Sequence, residues 1–300
     1  MKLGIIYAGQ GSQVVGMGKS FYPHEIFDQN EDLKELCFNG PLEKLSYTPY
    51  TQPCMVMVAT IITDLLKEHG IVPDYTAGLS LGEYSALYCA GVFKRQQVID
   101  LARFRGKVMQ EAVSEIESEM IAVLGMKEEL LQDLCHQASS IGVVSISNYN
   151  CPGQLVVAGE KKAVEKVKEL ALENKARRVI ALNTSGPFHT SLLKEASLAL
   201  KERFKKETFH EMKIPVIFNT LGHEIECQSI PEILEKQVMS PVYFEKSIRY
   251  MIDQGVDTII EVGPGKVLSG FVRKIDRSIQ LYQIEDMESL KKTVKALKGE

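Results

Sequence analysis

Ser80 sits between two glycines in Gly78-Leu79-Ser80-Leu81-Gly82, entered from a short apolar run and followed by a helix-forming stretch. This is the nucleophile-elbow pattern, in which a serine stands on a tight strand-to-helix turn. A β-carbon at either glycine would collide with the neighbouring strand or helix. The serine hydroxyl is thereby held at the top of a sheet, near a helix N-terminus whose N–H groups stabilise an oxyanion. Such a serine needs a base. Of the six histidines, 24, 69, 136, 189, 210 and 223, five lie in helices or polar stretches that ask nothing of them. His189 follows a strand and a Gly186-Pro187 break and precedes a helix beginning near Thr190. That is a strand-end loop, where catalytic residues of open α/β sheets gather; a helix-capping or surface histidine is the other reading of the same position.

Two further features bear on charge. An oxyanion hole needs two N–H donors, and the residue after the nucleophile, Leu81, supplies one in this geometry. The loop Gly9-Gln10-Gly11-Ser12-Gln13 after the first strand is a source for the other. A dinucleotide fingerprint fails there, because Val14 stands where a third glycine is required. Arg105 lies on a helix read from Gln96 to Ile116, with Val98, Ala102, Met109, Ala112 and Ile116 as its apolar stripe. At about 100° per residue Arg105 falls inside that stripe, while Arg103 and Lys107 fall opposite. An arginine on a core-facing stripe needs a partner. Either an internal Asp or Glu provides it, or the guanidinium is a bidentate clamp for a substrate carboxylate.

The elements that position these residues alternate between strand and helix, which predicts a parallel sheet covered by helices. Lys2–Ala8, Tyr75–Gly78 and Thr258–Val262 read as strands, and Met55–His69 and Leu81–Ala90 as helices. From about residue 118 to 187 the order changes to strand, helix, strand, strand, helix, strand, the ferredoxin-like motif. The expected organisation is an α/β-hydrolase-like catalytic domain, 1–117 and 188–300, with a ferredoxin-like subdomain, 118–187, inserted. The segment Tyr22–Tyr50, rich in charge, Pro, Asn and Gly, is expected to contain surface loops.

Composition narrows the class. The 300 residues carry a net charge of −4 and are 45% hydrophobic, enough for a sizeable core and no basis for nucleic-acid binding. Six cysteines form no C-x-x-C pair and mostly occupy apolar segments, as expected of reduced core residues in a cytoplasmic protein. Leu3–Ala8 is too short for a signal-peptide core, and Cys54–Ile62 is about half a membrane span. A soluble protein with no membrane or nucleic-acid partner is expected.

Five strings occur together, in order: Gly9-Gln10-Gly11-Ser12-Gln13; Gly78 to Ala86; Arg105-Gly106-Lys107-Val108-Met109-Gln110; Gly186-Pro187-Phe188-His189; and Glu261-Val262-Gly263-Pro264-Gly265-Lys266. In this the chain resembles the malonyl-CoA:acyl-carrier-protein transacylase family over essentially its whole length. The resemblance implies transfer of malonyl from coenzyme A to the phosphopantetheine thiol of an acyl carrier protein through a malonyl-serine, for fatty acid synthesis. It implies Ser80 as nucleophile, His189 as base, the Gln237 carbonyl as the group orienting it, and the Gln10 and Leu81 N–H groups as the oxyanion hole. It also implies Arg105 as carboxylate ligand and Gln52, Met109, Met120 and Phe188 as pocket lining. No metal or redox cofactor is implied; malonyl-CoA and an acidic carrier protein are the partners, and a monomer is expected. Two residues depart from the family pattern: Leu79, where histidine is common, and Ala8, where proline is common and whose presence suggests a slightly looser loop. A trans-acting polyketide acyltransferase would use the same chemistry. A serine thioesterase or other hydrolase would use the same elbow without needing Arg105. A non-catalytic carrier-docking protein would need none of Ser80, His189 and Arg105.

Overall fold

The computed structural model describes residues 1–299. Nine strands form two sheets: β1 (Leu3–Tyr7), β2 (Tyr75–Gly78), β3 (Ser118–Leu124), β4 (Val144–Cys151), β5 (Gln154–Glu160), β6 (Arg178–Ala181), β7 (Val216–Ile217), β8 (Thr258–Val262) and β9 (Gln280–Ile284). The first sheet is parallel throughout, in the order β7-β2-β1-β8-β9. Its central strand β1 is buried at every residue, as a strand covered on both faces must be. The pairing aligns Tyr7 with Gly78 on one side and with Val262 on the other, so β1, β2 and β8 end level with one another. The loops that follow them, carrying Gln10, Ser80 and Gly263, therefore emerge along one edge, the carboxyl edge where open α/β sheets place their sites.

The second sheet is antiparallel, in the order β4-β5-β3-β6, with helices Glu128–Ala138 and Lys161–Glu173 on one face. This is the ferredoxin-like arrangement read from the sequence. Alternation along the strands divides its side chains. Ile121, Val123 and Val157 pack with those two helices, whereas Met120, Ala122, Val156 and Ala158 join the core of the parallel-sheet unit. Backbone bonds from Tyr149 N–H to the Val242 carbonyl and from Val242 N–H to the Ser147 carbonyl, 2.8 and 2.9 Å, tie the units together.

Several expectations are corrected or completed by the structure. Tyr22–Tyr50 is more than surface loop: beside exposed connecting residues at Tyr22-Pro23 and Pro41 it holds helices Glu25–Gln29, Glu31–Asn39 and Leu42–Leu45, and Ile26, Phe27, Leu33 and Leu45 from it are buried. His24 caps the first of these, its Nδ1 accepting the Ile26 N–H at 3.2 Å. The helix read from Gln96 to Ile116 ends at Ala112, and the one read from Met55 begins at Thr48, with a proline in its first turn where a missing N–H costs nothing. Of the cysteines, Cys227 is exposed and the other five are buried. Ala8 does not leave its loop untied, because its N–H, which proline would lack, donates to the Val262 carbonyl at 3.0 Å and prolongs the β1–β8 ladder. Among the described residues, no helix is long and apolar enough to cross a membrane.

Candidate active site

Ser80 leaves β2 in the left-handed region, φ 52°, and the helix Gly82–Cys89 starts two residues later. The glycines are sterically required. A β-carbon on Gly78 would lie 2.0 Å from the Gly82 backbone, and one on Gly82 would lie 2.2 Å from the Tyr7 carbonyl oxygen. His189 is also left-handed, φ 63°, and its N–H donates to the Val238 carbonyl at 3.0 Å. Two such non-glycine residues facing each other store strain of the kind found at functional sites.

Ser80 Oγ lies 2.7 Å from His189 Nε2. On its other side His189 Nδ1 faces two backbone carbonyls, Gln237 at 2.9 Å and Ser240 at 3.1 Å. Carbonyls only accept, so Nδ1 carries the proton and Nε2 presents its lone pair to the serine hydroxyl. Two peptide carbonyls thus do what an aspartate does in a Ser-His-Asp triad, without adding a charge. Burial, with a smaller contribution from the nearby Arg105 charge, pushes His189 down to about 4. The imidazole is accordingly neutral, and a base, at physiological pH.

Arg105 is on the buried stripe of helix Arg95–Ala112, as its spacing predicts, and is only 1% exposed. Of its two possible partners, an internal carboxylate is ruled out as a direct contact, since no salt bridge involves it among the described residues. Its Nη1 donates to Gln52 Oε1 and its Nη2 to Gln237 Oε1, both at 2.9 Å, and Nη2 reaches Ser80 Oγ at 3.3 Å. The Tyr84 ring lies beneath the guanidinium, 5.4 Å from centroid to Cζ. Neutral oxygens and a π face solvate the cation without neutralising it. Its Nε has no hydrogen-bond partner among the described residues.

The remaining expected residues gather around this core. Gln52 Nε2 donates to Gln10 Oε1 at 3.4 Å, and Gln10 Nε2 to Thr48 Oγ1 at 2.8 Å, so Arg105, Gln52 and Gln10 form one hydrogen-bonded chain. No hydrogen bond among the described residues uses the backbone N–H of Gln10 or of Leu81. Met109, Met120 and Phe188 line the same cavity of about 210 Å³ as Ser80, His189 and Arg105. Leu79 lines it too, with Phe271 and Val267.

Reading the sequence alone misses two residues, Glu83 and Asn219, and the side-chain role of a third. Gln237 contributes its side chain as well as its carbonyl, since besides accepting from Arg105 it donates from Nε2 to the Ser80 carbonyl at 3.0 Å. Glu83 is fully buried in the first turn after the elbow, and burial pushes its carboxyl up to about 8, opposed by the Asn219 N–H and the Arg105 charge. Asn219 contacts the elbow directly. Its only sequence signal is its place just after an apolar strand.

Residues 5–295 match the acyl transferase domain family. The malonyl CoA-acyl carrier protein transacylase of Bacillus subtilis strain 168 is 41% identical over 311 residues, covering 100% of this chain and 98% of the relative. The chain belongs to the malonyl-CoA:acyl-carrier-protein transacylase family. A transacylase of the same name from Staphylococcus aureus strain MRSA252 is 36% identical, with 97% of each chain covered. The crystal structure of the Clostridium perfringens transacylase superposes with a TM-score of 0.95 at 41% identity, covering 100% of this chain and 98% of that one. A malonyl-transacylase solved with a type II PKS acyl-carrier protein gives 0.94 at 34% identity, with both chains fully covered. Transacylases of this family share both sheets seen here.

Proposed function

We propose that this chain moves a malonyl group from malonyl-CoA to the phosphopantetheine thiol of an acyl carrier protein. Ser80 Oγ attacks the thioester carbonyl and passes its proton to His189 Nε2. The carbonyl oxygen becomes an oxyanion held by the N–H groups of Gln10 and Leu81. The C–S bond breaks, and coenzyme A leaves as a thiol with the proton from His189. The carrier's thiol then gives its proton to the same nitrogen and attacks the malonyl-serine ester, and Ser80 recovers its proton as it departs. Arg105 binds the free malonyl carboxylate, Gln52 and Gln237 fix the guanidinium plane, and Met109, Met120 and Phe188 shape the acyl pocket. The reaction needs no metal or redox cofactor.

One observation carries this reading: a buried guanidinium 3.3 Å from the nucleophile, hydrogen-bonded to neutral oxygens only. Such a charge suits an acyl group that ends in a carboxylate and has no use in an enzyme for plain fatty esters. For the carrier, Arg273, Lys274 and Arg277 line a groove beside the helix whose first residue, Val267, borders the cavity, and this basic surface complements an acidic partner. Fatty acid synthesis is the pathway we assign. The likeness to a transacylase bound to a type II PKS carrier supports the polyketide pathway as a second reading. All reacting groups come from one chain, which supports a monomeric catalyst, and the largely buried free thiols support a cytoplasmic one.

Transfer is tested against hydrolysis by rapid kinetics with malonyl-CoA. A burst of coenzyme A without carrier, then fast turnover once fatty-acid carrier protein is added, is expected. Steady, rapid release of malonate without any acceptor contradicts the reading. Replacing the carrier by a polyketide one distinguishes the pathways.

A further inference from the structure

The β2–β7 pairing aligns Thr76 with Val216 and Ala77 with Ile217, and there β7 ends. Continued by two residues, that register sets Asn219 beside Leu79, the residue before the nucleophile. A parallel neighbour bonds to the carbonyl before and the N–H after the residue it faces. The Asn219 side chain makes those same two bonds. Its Nδ2 donates to the Gly78 carbonyl and its Oδ1 accepts the Ser80 N–H, each at 2.6 Å. One amide group therefore takes over the ladder where backbone pairing stops, and the stretch it holds includes the left-handed Ser80. Asn219 is held in turn, because its own N–H donates to Glu83 Oε2 at 2.5 Å, and Glu83 belongs to the helix on the far side of the elbow. Both Asn219 and Glu83 are fully buried, so water cannot replace either partner.

We propose that Asn219 is a positioning residue for the transfer reaction: its side-chain amide, braced by Glu83, fixes the elbow so that Ser80 Oγ meets His189 and the Leu81 N–H faces the cavity. It touches neither substrate nor the reacting oxygen. The elbow's conformation is strained, and without the brace Ser80 loses its N–H partner and gains freedom to rotate away. Misplacement of a reacting group by about 1 Å costs on the order of a hundredfold in rate. Binding of the malonyl carboxylate, made through Arg105 on another helix, is untouched.

The proposal rests on Ser80 being the nucleophile, and the experiment separates the two. The time course of acylation by malonyl-CoA is followed by intact mass over a range of concentrations for the parent, Ser80→Ala, Asn219→Ala and Asn219→Asp. Asn219→Ala is expected to lower the limiting acylation rate about a hundredfold while the half-saturating concentration stays within about threefold. Asn219→Asp keeps the acceptor for Ser80 N–H but loses the donor to Gly78, and is expected to lie between parent and alanine variant. Should Asn219→Ala not fold, Asn219→Asp is judged by the same split of rate against half-saturation. A folded variant that acylates within about threefold of the parent rate, or one whose half-saturating concentration rises as far as its rate falls, overturns the proposal. Acylation that persists in Ser80→Ala overturns the nucleophile reading instead.

Discussion

The two sheets contribute to one cavity in different ways. The parallel sheet supplies Ser80 from a strand end, with Gln10 from the level loop beside it, and its helices and return loops add Arg105 and His189. There the backbone itself is specialised at the reacting groups, with Ser80 and His189 left-handed, no room for a β-carbon at Gly78 or Gly82, and the polar Glu83, Arg105 and Asn219 buried. The antiparallel sheet supplies a wall. Met120 and Val156 reach the cavity through ordinary strand alternation, and the buried Asn148 and Asn150 of β4 line it beside them. Ser80, His189 and Arg105 all belong to the parallel-sheet unit, while the antiparallel sheet contributes lining from one face.

The largest effect expected from breaking that division is at His189. If His189 is the base of both half-reactions, as proposed, His189→Ala should slow acylation and transfer together by about two to four orders of magnitude in stopped-flow assays. A variant that acylates normally but transfers slowly would show a different base in the first step. The same residue sets the acid limb of the pH profile. Only the neutral imidazole accepts the serine proton, and it is held down to about 4 from the ordinary 6.5. The acylation rate should therefore be flat from neutral pH to about pH 5 and fall as pH drops through about 4. Between 6.5 and 4 the unfolded chain binds more protons at this site than the folded one, so its contribution to stability declines as pH falls through that window.

Arg105 comes next. Removing one partner of a buried charge-assisted pair costs about 2–5 kcal/mol, or roughly thirtyfold to several thousandfold. Arg105→Ala should depress malonyl transfer by that factor while sparing acylation from acetyl-CoA, which has no carboxylate to hold. Lysine should restore only part, because it keeps the charge and loses the planar fork. The ratio of malonyl to acetyl kcat/KM across parent, Arg105→Lys and Arg105→Ala is the measurement. Equal losses for both substrates would make Arg105 a structural residue.

The wall should respond least. Met120→Leu conserves volume, so it should cost less than about 1.5 kcal/mol in thermal unfolding. It should also shift the malonyl-to-acetyl ratio by no more than about threefold, since it alters neither charge nor elbow. A larger shift would move acyl selection from the arginine to the antiparallel sheet.

Legibility in the sequence followed the same divide. Ser80 and its glycines are written contiguously, and Arg105 betrays itself because a charge breaks an apolar helical stripe. The ferredoxin-like order is legible because its strands and helices are long and regular. The helices within Tyr22–Tyr50 go unread because, at five, nine and four residues, they fall short of the roughly 11–18-residue window over which helical periodicity shows. Asn219 and the Gln237 side chain stay hidden for another reason. They meet Ser80 across 139 and 157 residues of chain, through a strand order that no local pattern announces. Glu83 lies inside the elbow string, yet its burial depends on the sheet behind it.

Intact mass of the protein mixed with malonyl-CoA, beside Ser80→Ala treated alike, reads the covalent intermediate itself. One malonyl adduct is expected on the parent, removed when holo carrier protein is added, and none on Ser80→Ala. An adduct that survives in Ser80→Ala, or one that carrier protein cannot discharge, would contradict transfer through a malonyl-serine.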